Sequence, residues 1–503
     1  MNVDSALLSA IDRAVRDAEA EGLALLRGTI RTPSLTGSEG RHTEPGTVSH
    51  VLWESLAGEP GLTRHADEAE PGRDSIIATV GTDPRRVFVL DAHTDTVPPG
   101  SAEQWWGGDP FAATDGTITY LGNDRVRLEV GAHAIERTVR RRLGRLWEAR
   151  GWHSAPVVYG RGSFDNKGPV AVAWLATVAL ARMLAQQGLK LNGTLVCGFV
   201  IDEEEHMAGV RALCGGDGCW LDRHGLWPST IGEDGYREGI WGVALDGSYG
   251  FVPVVGHRGV AQLTVKTFGQ AAHAATPYLG TNAVTRMAEV LHVLDRDRVA
   301  IDAEVAGLFH DELLEPATFA LGTTIVGGGI EQVDRGDGGR TVHRAGVNVV
   351  PDWCEATIDC RHPRPADGDV ATIRERIAAA VRDAVLSRTN LPPEAVQVEV
   401  LGGNPPCAIL ARPEDGEQDD LVGEVLRHGR DVSGFDPWVE TCPGGTDATV
   451  MINLGKVKSI VEFGPAGAFA HEPHEYVERD QIAVGAAILA RTIVSVLGVS
   501  KAT

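Results

Sequence analysis

The sequence predicts an α/β protein with a smaller α+β domain inserted into it. Three observations carry that expectation. Apolar runs of strand length at 86–91, at 193–201 and in GIWGVALDG each stop at acidic residues or histidine. Segments of helical period separate these runs. From about His257 the pattern changes to half-exposed, alternating strands in β-α-β-β-α-β order. That change marks off residues 255–402 and leaves 1–254 and 403–503 as one discontinuous domain.

Residues 4–28 place Leu7, Leu8, Ile11, Val15, Leu23, Leu25 and Leu26 roughly on one face, with Gly28 near the end, and read as a helix. TPSLTGSEG is a loop, 47–57 a second helix, and strands follow near 75–80 and 86–91. The chain is organised around the next stretch, VFVLDAHTDTV, from Val87 to Val97. Four apolar residues run straight into Asp91, His93 and Asp95, groups that are costly to desolvate without partners. His93 and Asp95 are two apart and point the same way in extended chain. A carboxylate so placed can hold one imidazole nitrogen while the other faces a metal or substrate.

Trp105, Trp106, Asp109, Pro110 and Phe111 then form an aromatic turn. Within 112–155, ERTVRRRLGRLWEARGWH reads as a basic amphipathic helix, either a solvated or intersubunit face or a flap over a substrate. YGRGSFDNKG is a Gly-punctuated loop that opens a long apolar helix, 168–186, and puts Asp165 just before a helix N-terminus. The strand at 193–201 ends in Asp202, Glu203, Glu204 and Glu205, four acids that repel one another unless cations or protons intervene. GIWGVALDG delivers Asp246. Inside the inserted domain, RGVAQLTVKTFG is an alternating strand, with a helix at 370–386 and a strand at 395–401. Beyond it come helices at 416–428 and 478–497, a helix opened by PGGTDATVM, and the strand SIVEFGP, which leads into the loop AGAFAHEPHEYV with His471.

Composition narrows the function. A chain of 503 residues implies two or three domains, and 43% hydrophobic residues is ordinary for a globular protein. A net charge of −23 disfavours nucleic acid and anionic membranes as partners. No apolar run of membrane-span length stands out, and the acidic start MNVDSALLSAIDRAVRDAEAEG lacks the character of a signal peptide. Seven cysteines, odd in number and without metal-finger spacing, point to reduced thiols and a cytoplasmic location.

Collected, the strand ends and loops offer His93, Asp165, Glu203, Glu204, Asp246 and His471. This mixed nitrogen and oxygen set suits Zn²⁺ or a similar divalent metal rather than an all-oxygen calcium cage. One carboxylate shared by two ions would account for the excess of acids, and a spare carboxylate beside a metal-activated water would serve as general base.

The stretches LDAHTDTVPPG, WWGGDPF, GRGSFDNKG, FVIDEEE, ALDG, AAHAATPYLGTNAV, NVVPDWCEATIDCR, GGTDA and HEPHEYV resemble, in order, those of one family. It is the dizinc metallopeptidase family of acetylornithine deacetylase, succinyl-diaminopimelate desuccinylase, aminoacylases, carnosinases and peptidase T. The resemblance implies a mixed-sheet α/β/α catalytic domain of zinc-exopeptidase type with an inserted, ferredoxin-like lid. It implies that His93 binds one metal and is oriented by Asp95, that Asp165 bridges two metals and is followed by a cis peptide, and that Glu203 is the general base. Glu204 and His471 would hold the second metal. Asp246 would join His93, with Asp234 as the competing candidate because SYGFVP lacks the Glu-Pro-Thr run of many relatives.

In the lid, His273 would stabilise an oxyanion, Asn348 and Arg361 would hold a substrate carboxylate, and Gly444, Gly445 and Thr446 would add backbone donors. Arg361 could instead pair with Asp359 or Asp352, and His273 could be a surface loop residue. The implied activity is hydrolysis of an N-acyl amino acid or a dipeptide with two divalent ions, Zn²⁺ or else Co²⁺ or Mn²⁺, in a homodimer formed through the lid. An N-carbamoyl amino acid hydrolase is the alternative enzyme, and a non-catalytic binding protein the alternative class. The segments 112–155, 210–240 and the polar 327–345 exceed the family's usual loops, and the basic one favours a carboxylate-bearing substrate.

Overall fold

The computed structural model describes residues 4–151, 153–327, 330–334, 340–344 and 348–502. Much of the polar stretch 327–345 therefore lies outside the described residues. The chain divides into two compact units. The first comprises Met1–Gly256, Ala408–Glu440 and Thr446–Thr503, and the second His257–Cys407 with Thr441–Gly445.

The first unit is built on a six-stranded sheet in the order Leu62–Glu70, Arg73–Val80, Thr194–Val200, Val87–His93, Ile240–Leu245, Lys458–Ile460. The last four strands are parallel and the first two antiparallel, so the sheet is mixed. Val87–His93 and Thr194–Val200 are buried throughout. That is why their sequences are continuously apolar rather than alternating: helices cover both faces. The Cys197 thiol meets Thr177 of the helix Gly168–Gln187. Its neighbour Gly198 points the other way, and a Cβ there would come within 2.6 Å of Leu213 in the helix Ala208–Cys214.

Gly168–Gln187 also packs on Ser5–Ile30 and Gln481–Leu497. With the turn before it, Ser163–Gln187 does reach membrane-span length and apolarity, contrary to the sequence expectation. Its packing identifies it as a core helix, because 89% of its most apolar window is buried inside the protein. Ser5–Ile30 starts where the Asp4 side chain accepts from the Ala6 N–H, and it buries Ile11, Val15 and Leu26 against this core.

The register of the sheet positions everything that follows. His93 lies opposite Val200, and Ala92 opposite Leu245. Three parallel strands thus end level at one carboxyl edge, the edge where open α/β sheets bind ligands.

Residues 114–159 hold the basic helix expected within ERTVRRRLGRLWEARGWH, though shorter, and a set of strands that was not expected. They form the strands Thr114–Gly122, Arg125–Val130 and His133–Thr138, a shorter helix Arg141–Arg150, and the strand Ser154–Tyr159. These strands, with Tyr476–Glu478 and Gly467–Ala468, make a second, antiparallel sheet. The density of arginine hides a period of two: Val126, Leu128 and Val130 are buried, while Arg125 and Arg127 are exposed. Asn123 and Asp124, with φ of 52° and 56°, close the first hairpin as a two-residue turn of left-handed residues. The helix arginines pair within the unit: Arg141 with Asp124 and Glu148, Arg142 and Arg145 with Glu440, and Arg150 with Glu478. Their charge is matched locally rather than left for a substrate. The helix expected at 416–428 starts later, at Val422, because the Asp419 carboxylate caps the N–H groups of Leu421 and Val422.

The second unit has a four-stranded antiparallel sheet in the order Thr318–Gly327, Trp353–His362, Gly259–Phe268, Val396–Gly402. The helices Ala283–Arg296 and Ile373–Arg388 complete the β-α-β-β-α-β order, with an unforeseen helix Arg298–Ala306 between them. Trp353–His362 alternates strictly in burial. Its inward Ala356 and Ile358 join Leu263, Met287 and Ile377 in one core.

Candidate metal centre

Every residue of the centre belongs to the first unit and comes from a strand end or the loop after one. His93 ends its strand and is 2% exposed. Its Nδ1 lies 3.2 Å from the backbone oxygen of Asp95, and its Nε2 lies 3.2 Å from Asp165 Oδ1 and 3.8 Å from Glu203 Oε2. The second oxygen of Asp165 is 3.2 Å from His471 Nε2, and Glu204 Oε2 is 3.1 Å from the same nitrogen. One carboxylate thus faces two imidazoles, one oxygen to each.

Ligand atoms fall into two groups, each within 4.8 Å: His93, Asp165 and Asp246; and Asp165, Glu204 and His471. Asp246 follows the strand Ile240–Leu245 directly, whereas Asp234 is exposed and accepts from the Tyr236 N–H in its own turn.

The donor set fits divalent cations. His93 Nε2 and Glu204 Oε1 are buried and have no hydrogen-bond partner among the described residues. A cation bound by these atoms would satisfy both. Burial, and the charges of Asp447, Asp246 and Glu204, hold the Glu203 carboxyl well above its usual range. Asp246 is raised for the same first reason, with Asp165 adding repulsion. Burial opposes the protonated form of His93, but Asp165 and Asp95 outweigh it and hold the imidazole well above its ordinary value. Hydrogen bonds to Asp165 and Glu204 raise His471 to about 10. Such a cluster of opposed shifts is what a site built for cations shows when only protons are there to balance its charge.

Asp95 does more than the sequence suggests. Its carboxylate is 3.5 Å from the His93 ring, farther than its own backbone oxygen. Oδ1 accepts from the Glu203 N–H at 3.1 Å, while Oδ2 accepts from the Glu204 N–H at 3.2 Å and the Thr36 hydroxyl at 3.0 Å. Asp95 therefore ties the His93 loop to the acidic turn.

Glu475 was not singled out in the sequence and holds the loop of Asp165. Oε1 accepts from the N–H groups of Phe164 and Asp165, each at 2.9 Å, and Oε2 accepts from Gly162 N–H at 2.9 Å and from the Arg161 guanidinium. Gly162 has φ of 78°, and a Cβ there would come within 2.7 Å of Thr96. The Asp165–Asn166 peptide is cis. Asn166 donates to Leu245 O at 2.9 Å, which ties the loop to the strand before Asp246. Asp91 and Asp447, also unassigned from sequence, lie buried behind Glu203, where burial pushes Asp91 up to about 7 and Asp447 well above its usual range.

In the second unit, His273 and Asn348 are neighbours. Ala272–His273 pairs with Val349–Val350, and Asn348 O accepts from Ala274 N–H at 2.7 Å. His273 is exposed, and its Nδ1 accepts from Ala275 N–H. Arg361 is paired with Asp359, Nε to Oδ1 at 2.6 Å. Gly444 O accepts from the Cys442 thiol. The Thr446 hydroxyl, in the first unit, is committed to Val461 O at 2.7 Å.

A sequence model of "Peptidase family M20/M25/M40" matches residues 143–495. Succinyl-diaminopimelate desuccinylase of Paracoccus denitrificans is 26% identical over 459 residues, covering 90% of this chain and 92% of that protein. Among solved structures, aminopeptidase PepT of Bacillus cereus superposes with a TM-score of 0.58 at 17% identity, covering 95% of this chain and 98% of that one. Human carnosine dipeptidase 1 gives 0.56 at 15% identity, covering 98% and 99%. At those identities the structural likeness shows the fold.

Proposed function

The chain belongs to peptidase family M20/M25/M40 and is a hydrolase of amide bonds; from that premise we propose that it cleaves a small carboxylate-bearing substrate, an N-acyl amino acid or a dipeptide, at a two-metal centre. The observation that carries this reading is the Asp165 carboxylate, set between His93 and His471 with one oxygen toward each. His93 and Asp246 would hold one ion, Glu204 and His471 the other, and Asp165 both. When bound, two divalent cations, of which zinc suits the donors best, polarise an amide carbonyl and bring the pKa of a water toward neutrality.

Glu203 would take a proton from water as its oxygen adds to the amide carbonyl carbon, and would return that proton to the nitrogen as the C–N bond breaks and the amine leaves. Its burial supports the role, since a carboxylate made more basic is a better proton acceptor. Asp95 fixes the base through its backbone N–H. His273 donates to the carbonyl oxygen as negative charge develops. Asn348 and Arg361 receive the substrate carboxylate, Arg361 exchanging its Asp359 partner for it. Gly444, Gly445 and Thr446 contribute backbone donors. The desuccinylase name of the Paracoccus relative favours an N-acyl substrate. A homodimer through the second unit and a cytoplasmic location complete the reading; seven free cysteines support a reducing compartment.

The test is hydrolysis of dipeptides and of N-acetyl, N-succinyl and N-carbamoyl amino acids with Zn²⁺, Co²⁺ or Mn²⁺, beside Glu203→Gln. Turnover should require metal and fall about 10²–10⁴-fold in the variant. A wild-type protein that binds no metal would overturn the reading.

A further inference from the structure

Behind the acidic turn lies a buried charge network that the chemistry above does not use. Arg73 opens the strand Arg73–Val80 at the antiparallel side of the main sheet. Its guanidinium donates twice to Glu39, Nε to Oε2 at 2.8 Å and Nη2 to Oε1 at 2.7 Å. The same Nη2 donates to Asp202 Oδ1 at 2.8 Å. Glu39 is fully buried and Asp202 nearly so. A buried ion pair adds little net stability over an apolar packing, so its retention calls for a reason other than stability.

Asp202 supplies that reason. It is the residue before Glu203 and Glu204, and it sits in the left-handed region at φ 70°. Its carbonyl accepts from the N–H groups of Met207 at 2.6 Å and His206 at 3.2 Å, closing the turn that carries both glutamates. The turn is therefore held at two points. Asp95 accepts from the N–H groups of Glu203 and Glu204, and Arg73 donates to the Asp202 carboxylate. Glu39, gripped in turn by Arg73, keeps the guanidinium fork aimed. His93 lies within the paired register and Asp246 one residue beyond it, so neither is reached through the Arg73–Asp202 contact.

We infer that Arg73 is a positioning residue: through Asp202 it sets the turn of Glu203 and Glu204, and so governs the Asp165–Glu204–His471 cation site while leaving the His93–Asp165–Asp246 site alone. The inference rests on the two-metal reading above. Its mark is selectivity. A residue that merely stabilised the first unit would change both sites together or neither.

The experiment titrates the full-length, metal-free protein with Zn²⁺ against a chromophoric chelator, for wild type, Arg73→Met and Arg73→Lys. Because Arg73→Met leaves the Glu39 carboxylate buried and unpaired, the double variant Arg73→Met/Glu39→Gln is measured beside it. In Arg73→Met and in the double variant, one of two Zn²⁺ sites should weaken about 10–100-fold, the loss typical of removing an outer partner of a ligand. The other site should hold its affinity. Arg73→Lys should recover part of the loss, since an ammonium keeps the charge but not the fork. Two unchanged sites in a folded double variant would overturn the inference and leave the two-metal reading intact. So would an equal weakening of both sites. Failure of wild type to bind Zn²⁺ would overturn the reading and the inference with it.

Discussion

His93 and Asp246 come from the ends of neighbouring parallel strands, whereas Glu204 and His471 come from a turn and a loop. The two pairs share Asp165 and chemical type, yet they are held by different means. On the strand side, position is inherited from backbone pairing, and the His93 ring is buried. On the loop side, the His471 side chain is 54% exposed. Asp202, Met207, Phe469, His471 and His474 all have left-handed backbone there. Each such residue costs on the order of 1–3 kcal/mol and persists only where its surroundings over-determine it. The clamps on this side are correspondingly many: Asp95 and Arg73 on the turn, and Arg137 on the His471 loop. A sheet places ligands as a by-product of folding; a loop needs side chains assigned to the task.

Four expected outcomes would sharpen or break this contrast. The largest effect belongs to the shared residue. Asp165→Asn should weaken both ions and lower turnover by more than the about 10²–10⁴-fold expected for loss of the base, read by metal analysis and steady-state rates. Retention of one tight ion would show that the two halves do not meet at Asp165. Next, His471→Ala should remove one ion of two, with a loss exceeding the roughly 10–100-fold cost of an outer partner, while the strand-borne site keeps its ion. His93→Ala should do the reverse.

The third outcome is a pH effect. With His471 raised to about 10 by Asp165 and Glu204, the imidazole is protonated at pH 7 until an ion displaces that proton. Because the pKa is raised, protons compete harder as pH falls. Affinity at the loop-borne site should therefore rise about tenfold per pH unit toward 10. Calorimetry in buffers of different ionisation heat should show one fewer proton released in His471→Ala; an unchanged count would refute the assignment.

The smallest effect is at the insertion. Arg137 pairs with Glu472 and lies 4.9 Å over the Phe469 ring, on either side of His471. An exposed ion pair contributes about 0.2–1 kcal/mol, so Arg137→Ala should weaken the loop-borne ion by at most about fivefold. A larger loss would make the strand His133–Thr138 an integral wall of the centre.

Much of this was legible in the sequence, and the reason is local. His93 ends an apolar strand, Asp246 directly follows one, and Glu203 and Glu204 stand in the acidic cluster just past a third, so costly polar groups stand where apolar runs stop. The inserted unit announced itself through strict alternation, as in WCEATIDCRH. What escaped notice was held at long range. Glu475 meets the Asp165 loop from 310 residues away, and Arg73 meets Asp202 across 129. No spacing rule links such pairs, because the sheet brings them together only after folding. The meander at 114–138 escaped for another reason: its short strands are crowded with charge, and only its last residues, from Glu136, fall in the stretch read as a basic helix, which does hold the helix Arg141–Arg150.

The level ending of the three parallel strands also bears on how this chain can change length. One residue added or removed between Val87 and His93 would slide the imidazole about 3.3 Å and turn it to the opposite face of the sheet. The reading frame of each strand is thus locked to its neighbours. Added length disturbs least between one ligand and the strand that leads to the next, and the segments at 112–155 and 210–240 lie there: after His93 and Asp95, and after Glu203 and Glu204. The spacing from strand to ligand is where a one-residue insertion would cost the site most, and the intervals beyond it are where added chain would leave the ligands in place.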